Sequence, residues 1–287
     1  MNKKSNLTII ILNHNVKQLL LNCLSSLTAA KTSQDDWEII VVDNASHDDS
    51  VPTTQRIFPD VKIISCHKNV GFAAGNNIAL KTITSEFVLL LNPDTIVYPQ
   101  TIQTVLQYIK SHSDVGAATC RVELPDGTLD YSCHRHFPDP WNSFLHLYSW
   151  FFKKFSKYSN SDITDTIHEI DALSGAFAMI RTQAGRHVNW LDEDYFFNGE
   201  DIDFCYKLKL SGWKVMYIPG VKITHFKGSS AKETRSTRLA WSRNSTHAMR
   251  LFYQKHLAAK YPALLNYLVY AGIYLLQTVR KLKARYN

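Results

Sequence analysis

The chain has no C-x-x-C pair: its five cysteines, Cys23, Cys66, Cys120, Cys133 and Cys205, are scattered and odd in number. That argues against a disulfide framework or a zinc ribbon and for a reducing compartment. A secretory leader is not expected either. Only six apolar or Thr residues stand between Met1–Asn6 and Asn13, too few for a signal-peptide core, so the start reads as the first strand of a cytoplasmic protein. Neither G-x-G-x-x-G nor a P-loop lysine occurs, which counts against a dinucleotide enzyme and an NTPase. With no internal repeat and no low-complexity linker, residues 1–230 are expected to form one domain, followed by an appendage over residues 231–287.

Negative charge is scarce at the far end. From Lys227 onward there are 12 Lys and Arg against one acid, Glu233, whereas residues 1–226 hold 20 against 24. A mildly acidic body with a strongly basic tail points to a polyanionic surface, membrane or nucleic acid. No nucleic-acid motif accompanies the charge, so the expected partner is an anionic membrane surface and not nucleic acid. Residues 232–260 read as a basic amphipathic helix, with Leu239, Trp241, Leu251 and Phe252 set among Arg235, Arg243, Arg250 and Lys255. Residues 261–279 carry no charge but include Pro262, Asn266, Gln277, Thr278 and four tyrosines. An interfacial helix with tyrosine and basic anchors fits that composition better than a span. The alternative is a core-packed helix with a solvated basic face.

Short buried strands are what the first half has in quantity. Leu7–Leu12 ends in Asn13-His14-Asn15, Glu38–Val42 ends in Asp43, and Val61–Ser65 follows. Phe87–Leu91 is wholly apolar and closes on Asn92-Pro93-Asp94, where the proline ends the ladder. Helices are expected over Val16–Ala30, from Asn69 to about Ile83, and over Thr101–Ser111. Further on, the pattern predicts strands at Val115–Val122 and Ala172–Ile180, and a helix around Trp141–Phe155. A helix from Glu200 to Gly212 and two strands, Lys214–Ile218 and Val221–His225, complete the body. The alternation makes a doubly wound α/β fold with a mostly parallel, Rossmann-like sheet the expectation.

In such a sheet the carboxyl ends of the strands line one crevice. Asp43 can accept an N–H from a ribose-linked base there, or simply cap a turn. Asn92 and Asp94 make an oxygen-rich strand end that suits a hard divalent cation; an Asx turn with no metal is the bland alternative. The helix start at Gly71 can hold a polar ligand edge. Six carboxylates, Asp192, Glu193, Asp194, Glu200, Asp201 and Asp203, crowd 12 residues beside Tyr195, Phe196 and Phe197. Such crowding is costly unless a cation or a proton transfer uses it. Successive helical residues diverge by about 100°, so Glu200 and Asp201 cannot point the same way, and Asp203 reads as a cap or structural pair. His225 closes a strand, and His134-Arg135-His136 reads as a loop.

These residues carry a resemblance. Asn13 and Asn15 after the first strand, Val-Val-Asp43-Asn-Ala-Ser46 and Asn69-Val-Gly71-Phe-Ala-Ala-Gly75-Asn76 are similar to the donor half of family 2 glycosyltransferases with the GT-A fold. So are Leu-Leu-Asn92-Pro-Asp94, Ser174-Gly175-Ala-Phe, Glu200-Asp201-Ile-Asp203 and Thr-His225-Phe, in order over residues 7–230. The nearest branch is rhamnosyltransferase-like, building bacterial surface polysaccharides. The resemblance implies Asp43 on the nucleobase, with Asn13, Asn15, Asn69, Gly71, Asn76 and Asn92 along the nucleotide sugar. It implies Asp94 and His225 as ligands of Mg²⁺ or Mn²⁺, with Asn92 standing where many members have Asp. Asp201 would be the catalytic base, and Gly175, Glu200 and Asp203 would line the sugar pocket.

The expected activity is an inverting, metal-dependent transfer of a sugar, L-rhamnose from a dTDP donor, to a lipid-linked or polysaccharide acceptor at the cytoplasmic membrane face. A metal would neutralise the departing diphosphate and a base would activate the acceptor hydroxyl. No nucleophile stands beside a partner base, which disfavours a covalent intermediate. A sugar-phosphate nucleotidyltransferase and a non-catalytic carbohydrate- or lipid-binding scaffold are the alternatives.

Overall fold

The computed structural model of the protein describes residues 5–139, 165–227 and 235–286. The helix expected around Trp141–Phe155 lies outside the described residues. Strand β1 (Leu7–Asn13) is flanked by β2 (Trp37–Asp43) and β4 (Phe87–Leu91), with β3 (Lys62–Ser65) beyond β2, and these pairings are parallel. All five residues of β4 are buried, as the unbroken apolar run requires of a strand covered on both faces. Helix α1 (Lys17–Ala30) turns Leu20, Cys23, Leu24, Leu27 and Ala30 into the body at 3–4 spacing, so it covers one face of the sheet. Helices α2 (Ser50–Ile57), α3 (Phe72–Leu80) and α4 (Thr101–Ser111) complete this half. Helix α3 stops at Leu80, short of the expected Ile83.

The second half continues the same sheet with mixed polarity. Strands β5 (Thr95–Val97), β6 (Val115–Glu123), β7 (His168–Glu169), β8 (Phe177–Arg181) and β9 (Lys214–His225) join it, giving the order β3-β2-β1-β4-β8-β6-β9-β5 with β7 beside β9. Strand β8 runs antiparallel to β4, with Leu91 opposite Phe177. That register brings the turn at Ser174-Gly175-Ala176 to the sheet edge where β1, β2 and β4 end. The expected strand Ala172–Ile180 is thus two things, a turn and then a strand from Phe177. The two strands expected at 214–218 and 221–225 are one. Its register with β6 slips between Cys120 and Arg121, opposite Pro219-Gly220, because a proline in a strand is accommodated at an irregularity.

Helices α5 (Thr182–His187) and α6 (Glu200–Leu210) pack on this half. The tail forms α7 (Arg235–Phe252), a π-helical turn (Tyr253–Leu257), a 3₁₀ turn (Ala258–Lys260) and α8 (Ala263–Tyr286). The expected helix over 232–260 is therefore interrupted at Tyr253. Ala248, Phe252, Tyr253 and Leu257 are buried in the common core.

Candidate active site

Asn13 and Asp43 end neighbouring parallel strands at the same register position. Asn13 Nδ2 donates to Asp43 Oδ1 and to Ser46 Oγ, each at 2.9 Å, and the Ser46 N–H donates to Asp43 Oδ2 at 3.0 Å. Asn15, in the left-handed region at φ 55, accepts from the His47 N–H at 2.7 Å. Next along, Asn69 Oδ1 accepts from Asn44 Nδ2 and from the Gly71 N–H at 3.0 and 2.9 Å. Asn13, Asn15, Asp43, Asn69 and Gly71 thus form one hydrogen-bonded rim over the ends of β1 and β2. Gly71 has φ +88, and a Cβ there would lie 2.5 Å from the Phe196 carbonyl oxygen, so glycine is required. Asn76 sits a turn deeper, buried, with Nδ2 donating to the Phe72 carbonyl at 3.0 Å.

Asp94 and His225 meet because β5 pairs antiparallel with the end of β9, Thr95 opposite His225. His225 Nε2 lies 3.2 Å from Asp94 Oδ1 and 3.5 Å from Asn92 Nδ2, and Nδ1 lies 3.3 Å from Asp130 Oδ2. Burial opposes charge on this imidazole, but hydrogen bonds to Asp130 and Asp94 prevail and hold its pKa up at about 9. Among the described residues no three His, Cys, Asp or Glu side chains are grouped to hold a metal ion by themselves. Two donors do fit one. Adjacent ligands about 2.1 Å from an octahedral cation stand roughly 3 Å apart, close to the 3.2 Å between Asp94 and His225. A carboxylate on the other ring nitrogen is the usual outer support of a metal-binding His. The remaining positions would fall to diphosphate oxygens and water.

The Asp201 side chain reaches the edge from the first turn of α6. Its Oδ2 accepts from Arg135 Nη2 at 2.5 Å and from the Gly175 N–H at 3.4 Å. Gly175 faces Phe72, the residue after Gly71: a Cβ on Gly175 would lie 3.2 Å from the Phe72 ring. In turn the Phe72 N–H donates to the Phe196 carbonyl at 2.8 Å. The rim at Gly71, the turn at Gly175 and the start of α6 are therefore contiguous. Glu200 and Asp203 are buried on either side of Asp201. Burial, then the neighbouring Asp201 charge, push the Glu200 carboxyl up to about 8. Burial would also raise Asp203, but His256 and Lys207 bring it below the ordinary carboxylate range.

Two residues of this site, Asp130 and Arg135, escape the sequence reading. Asp130 is buried and accepts from His225, Lys227 and the Ser132 N–H; burial opposes its charge, but these bonds hold it well below the usual carboxylate range. Arg135 lies in the segment read as a loop. There His134 faces His168 and His136 faces Asp171. The only signal for Arg135 was a cation between two histidines, and the acid it meets, Asp201, is 66 positions away. Asn77 is a third omission: it donates to the Leu191 carbonyl and to Glu193 Oε1 at 2.8 and 2.9 Å, pinning the acidic loop.

The chain has known relatives, and its fold has known counterparts. The chain is 28% identical over 248 residues to the rhamnosyltransferase WbbL of Escherichia coli, covering 83% of this chain and 90% of that protein. It is 23% identical to the N-acetylglucosaminyl-diphospho-decaprenol L-rhamnosyltransferase of Mycobacterium tuberculosis, over 78% of this chain and 77% of that one. Among solved structures, the mannosyltransferase PcManGT from Pyrobaculum calidifontis, in complex with GDP-Man and Mn²⁺, superposes with a TM-score of 0.61 at 17% identity, covering 99% of this chain and 74% of that one. S. aureus TarS in complex with UDP gives 0.62 at 17% identity, covering 94% and 70%. These last two likenesses establish the fold, a GT-A glycosyltransferase architecture. The model of glycosyl transferase family 2 matches residues 8–184, more than half the chain and every residue of the rim, and the protein belongs to that family.

Proposed function

We propose that the protein is an inverting rhamnosyltransferase that moves L-rhamnose from dTDP-rhamnose to a lipid-linked or polysaccharide acceptor at the inner face of the cell membrane. The single observation that carries the transfer chemistry is the placement of Asp201 at the sheet edge, held by Arg135 and the Gly175 N–H. The donor base lies over Asn13 and Asp43, whose oxygens stay open to one more N–H donor each, and Asn69, Gly71 and Asn92 follow the ribose and diphosphate. Asn76 supports the start of α3 beneath them. Asp94 and His225 are the residues that would hold Mg²⁺ or Mn²⁺, and the cation, when bound, offsets charge on the departing nucleotide diphosphate. Asp201 takes the proton of the acceptor hydroxyl as its oxygen attacks the anomeric carbon. The bond from that carbon to the diphosphate oxygen breaks on the opposite face, so configuration inverts. Glu200 and Asp203 shape the pocket from behind, and Gly175 leaves room in front.

The tail supports the membrane part of this reading. No helix among the described residues is long and apolar enough to cross a membrane. Helix α8 nonetheless exposes Leu264, Tyr267, Leu268, Tyr274, Leu275 and Leu282 along one face, the first at 73%, while Val269 and Tyr270 pack against the core. An apolar stripe beside a basic end suits the headgroup boundary of an anionic bilayer. A donor-turnover screen over dTDP, UDP and GDP sugars, run with a polyprenyl-diphosphate sugar as acceptor, tests the proposal. Product from dTDP-rhamnose alone is expected; turnover confined to another nucleotide sugar refutes the donor, and none with any refutes the activity.

A further inference from the structure

The tail reaches both the base-bearing helix and the acidic loop that precedes it. Ala248 of α7 packs on Gly199, where a Cβ would come within 3.0 Å of the Ala248 Cβ. Gly199 has φ +91 and directly precedes Glu200 and Asp201, so this contact seats the left-handed cap of α6. His256 Nε2 lies 2.6 Å from Asp203 Oδ1, one half-turn along α6 from Asp201. Asp203 has no exposed surface, so its charge needs partners, and His256 serves Oδ1 while Lys207 of α6 itself lies 3.2 Å from Oδ2. Lys255 binds Asp192 and, at 2.6 Å, Asp194. These acids open the loop whose Phe196 carbonyl receives the Phe72 N–H on the donor rim. Lys255 and His256 are neighbours within the π-helical turn Tyr253–Leu257, a rare conformation that clusters at functional sites. The ring of Tyr206, on α6, packs against both His256 and Phe252, with centroids 4.7 and 5.4 Å apart.

We propose that Lys255 and His256 are positioning residues for transfer: the tail, whatever else it binds, clamps the loop at Asp192–Asp194 with one side chain and the Asp203 face of α6 with the other. Asp201 is thereby kept in register with the donor rim. The proposal rests on the reading of Asp201 as the base. A displacement of about 1 Å at a reacting group costs on the order of 100-fold in rate, so a loosened clamp shows in turnover before it shows in binding.

The test uses the full chain with His256→Ala, His256→Gln, Lys255→Ala and Lys255→Arg, and Leu27→Ala as a destabilising control in the remote core. For the two alanine variants kcat is expected to fall about 10- to 100-fold with donor KM and donor affinity unchanged, while Gln and Arg recover much of the loss. Amide hydrogen exchange over Glu200–Phe204 should quicken, and exchange in β1 and β4 should not. Unchanged exchange at Glu200–Phe204, or a loss of kcat that only follows the folded fraction as in Leu27→Ala, overturns the clamp. If wild type transfers no sugar, the transferase reading fails on its own, and the exchange measurement still decides whether the tail holds α6.

Discussion

Arg135 donates to Asp201 across 2.5 Å, and the same guanidinium nitrogen donates to the Leu173 carbonyl at 2.6 Å. One side chain therefore ties α6 to the segment before the Gly175 turn. The two N–H bonds of that nitrogen are fixed in the guanidinium plane and aimed at both acceptors, whereas a lysine's donors rotate freely and are not pre-aimed. Arg135→Lys should lower kcat about 10- to 100-fold while donor affinity by calorimetry stays at the wild-type value, since misorientation of the base spares binding. Weakened donor binding with normal kcat would place Arg135 on the donor instead.

The second expectation concerns the cation. Donor affinity in wild type should fall on adding EDTA and return with Mn²⁺ or Mg²⁺. In Asp94→Ala or His225→Ala it should be at least ~10-fold weaker and insensitive to EDTA, because the donor diphosphate and the protein share the ion. Metal-independent binding that is equal in wild type and Asp94→Ala would remove both residues from the role.

A third follows from Glu200. Its carboxyl titrates at about 8 in the folded protein against an ordinary 4.5, through burial and the Asp201 charge. The folded state keeps a proton that the unfolded chain has released, so this contribution is complete below 4.5 and is lost as pH rises to about 8. The slope can reach ~1.4 kcal/mol per pH unit. Urea unfolding across that window should show wild type losing stability with rising pH and Glu200→Gln losing much less. Parallel curves would mean that Glu200 is charged throughout.

The fourth expectation is the membrane face. Leu268→Glu with Leu275→Glu places two charges on the exposed stripe of α8. Wild type should co-sediment with vesicles in proportion to anionic lipid and less so at high salt, each basic residue near the surface contributing about 1 kcal/mol. The double variant should stay in the supernatant. Equal sedimentation of both proteins would contradict the assignment of this face.

Much of the donor side was legible in the chain because parallel register follows buried apolar runs, and runs are visible. Asp43, Asn92 and Asp94 are the polar residues on which such runs close, so their alignment along one edge follows from fold class. His225 was legible as a strand end, but its meeting with Asp94 depends on the β5–β9 register, which has no local pattern. Asp130 and Arg135 were not legible at all: each is a single charge in an irregular segment, and its partner is chosen by tertiary contact. In the tail, periodicity set the buried Phe252 apart from the exposed Arg243 and Arg250, but it put Trp241, which is 50% exposed, on the apolar side. It could not say that Phe252 and Leu257 face the body while Leu268 and Leu275 face out, nor that a π-turn at Tyr253 divides them.

Turnover of Asp201→Asn at saturating donor is the most direct test of the central claim. Loss of a general base removes ~100- to 10,000-fold in rate, and the account predicts a fall of that size from a folded protein whose donor affinity is intact. A wild-type rate from Asp201→Asn would contradict it and return the choice to Glu200, Asp203 and the acids of the Asp192–Asp194 loop.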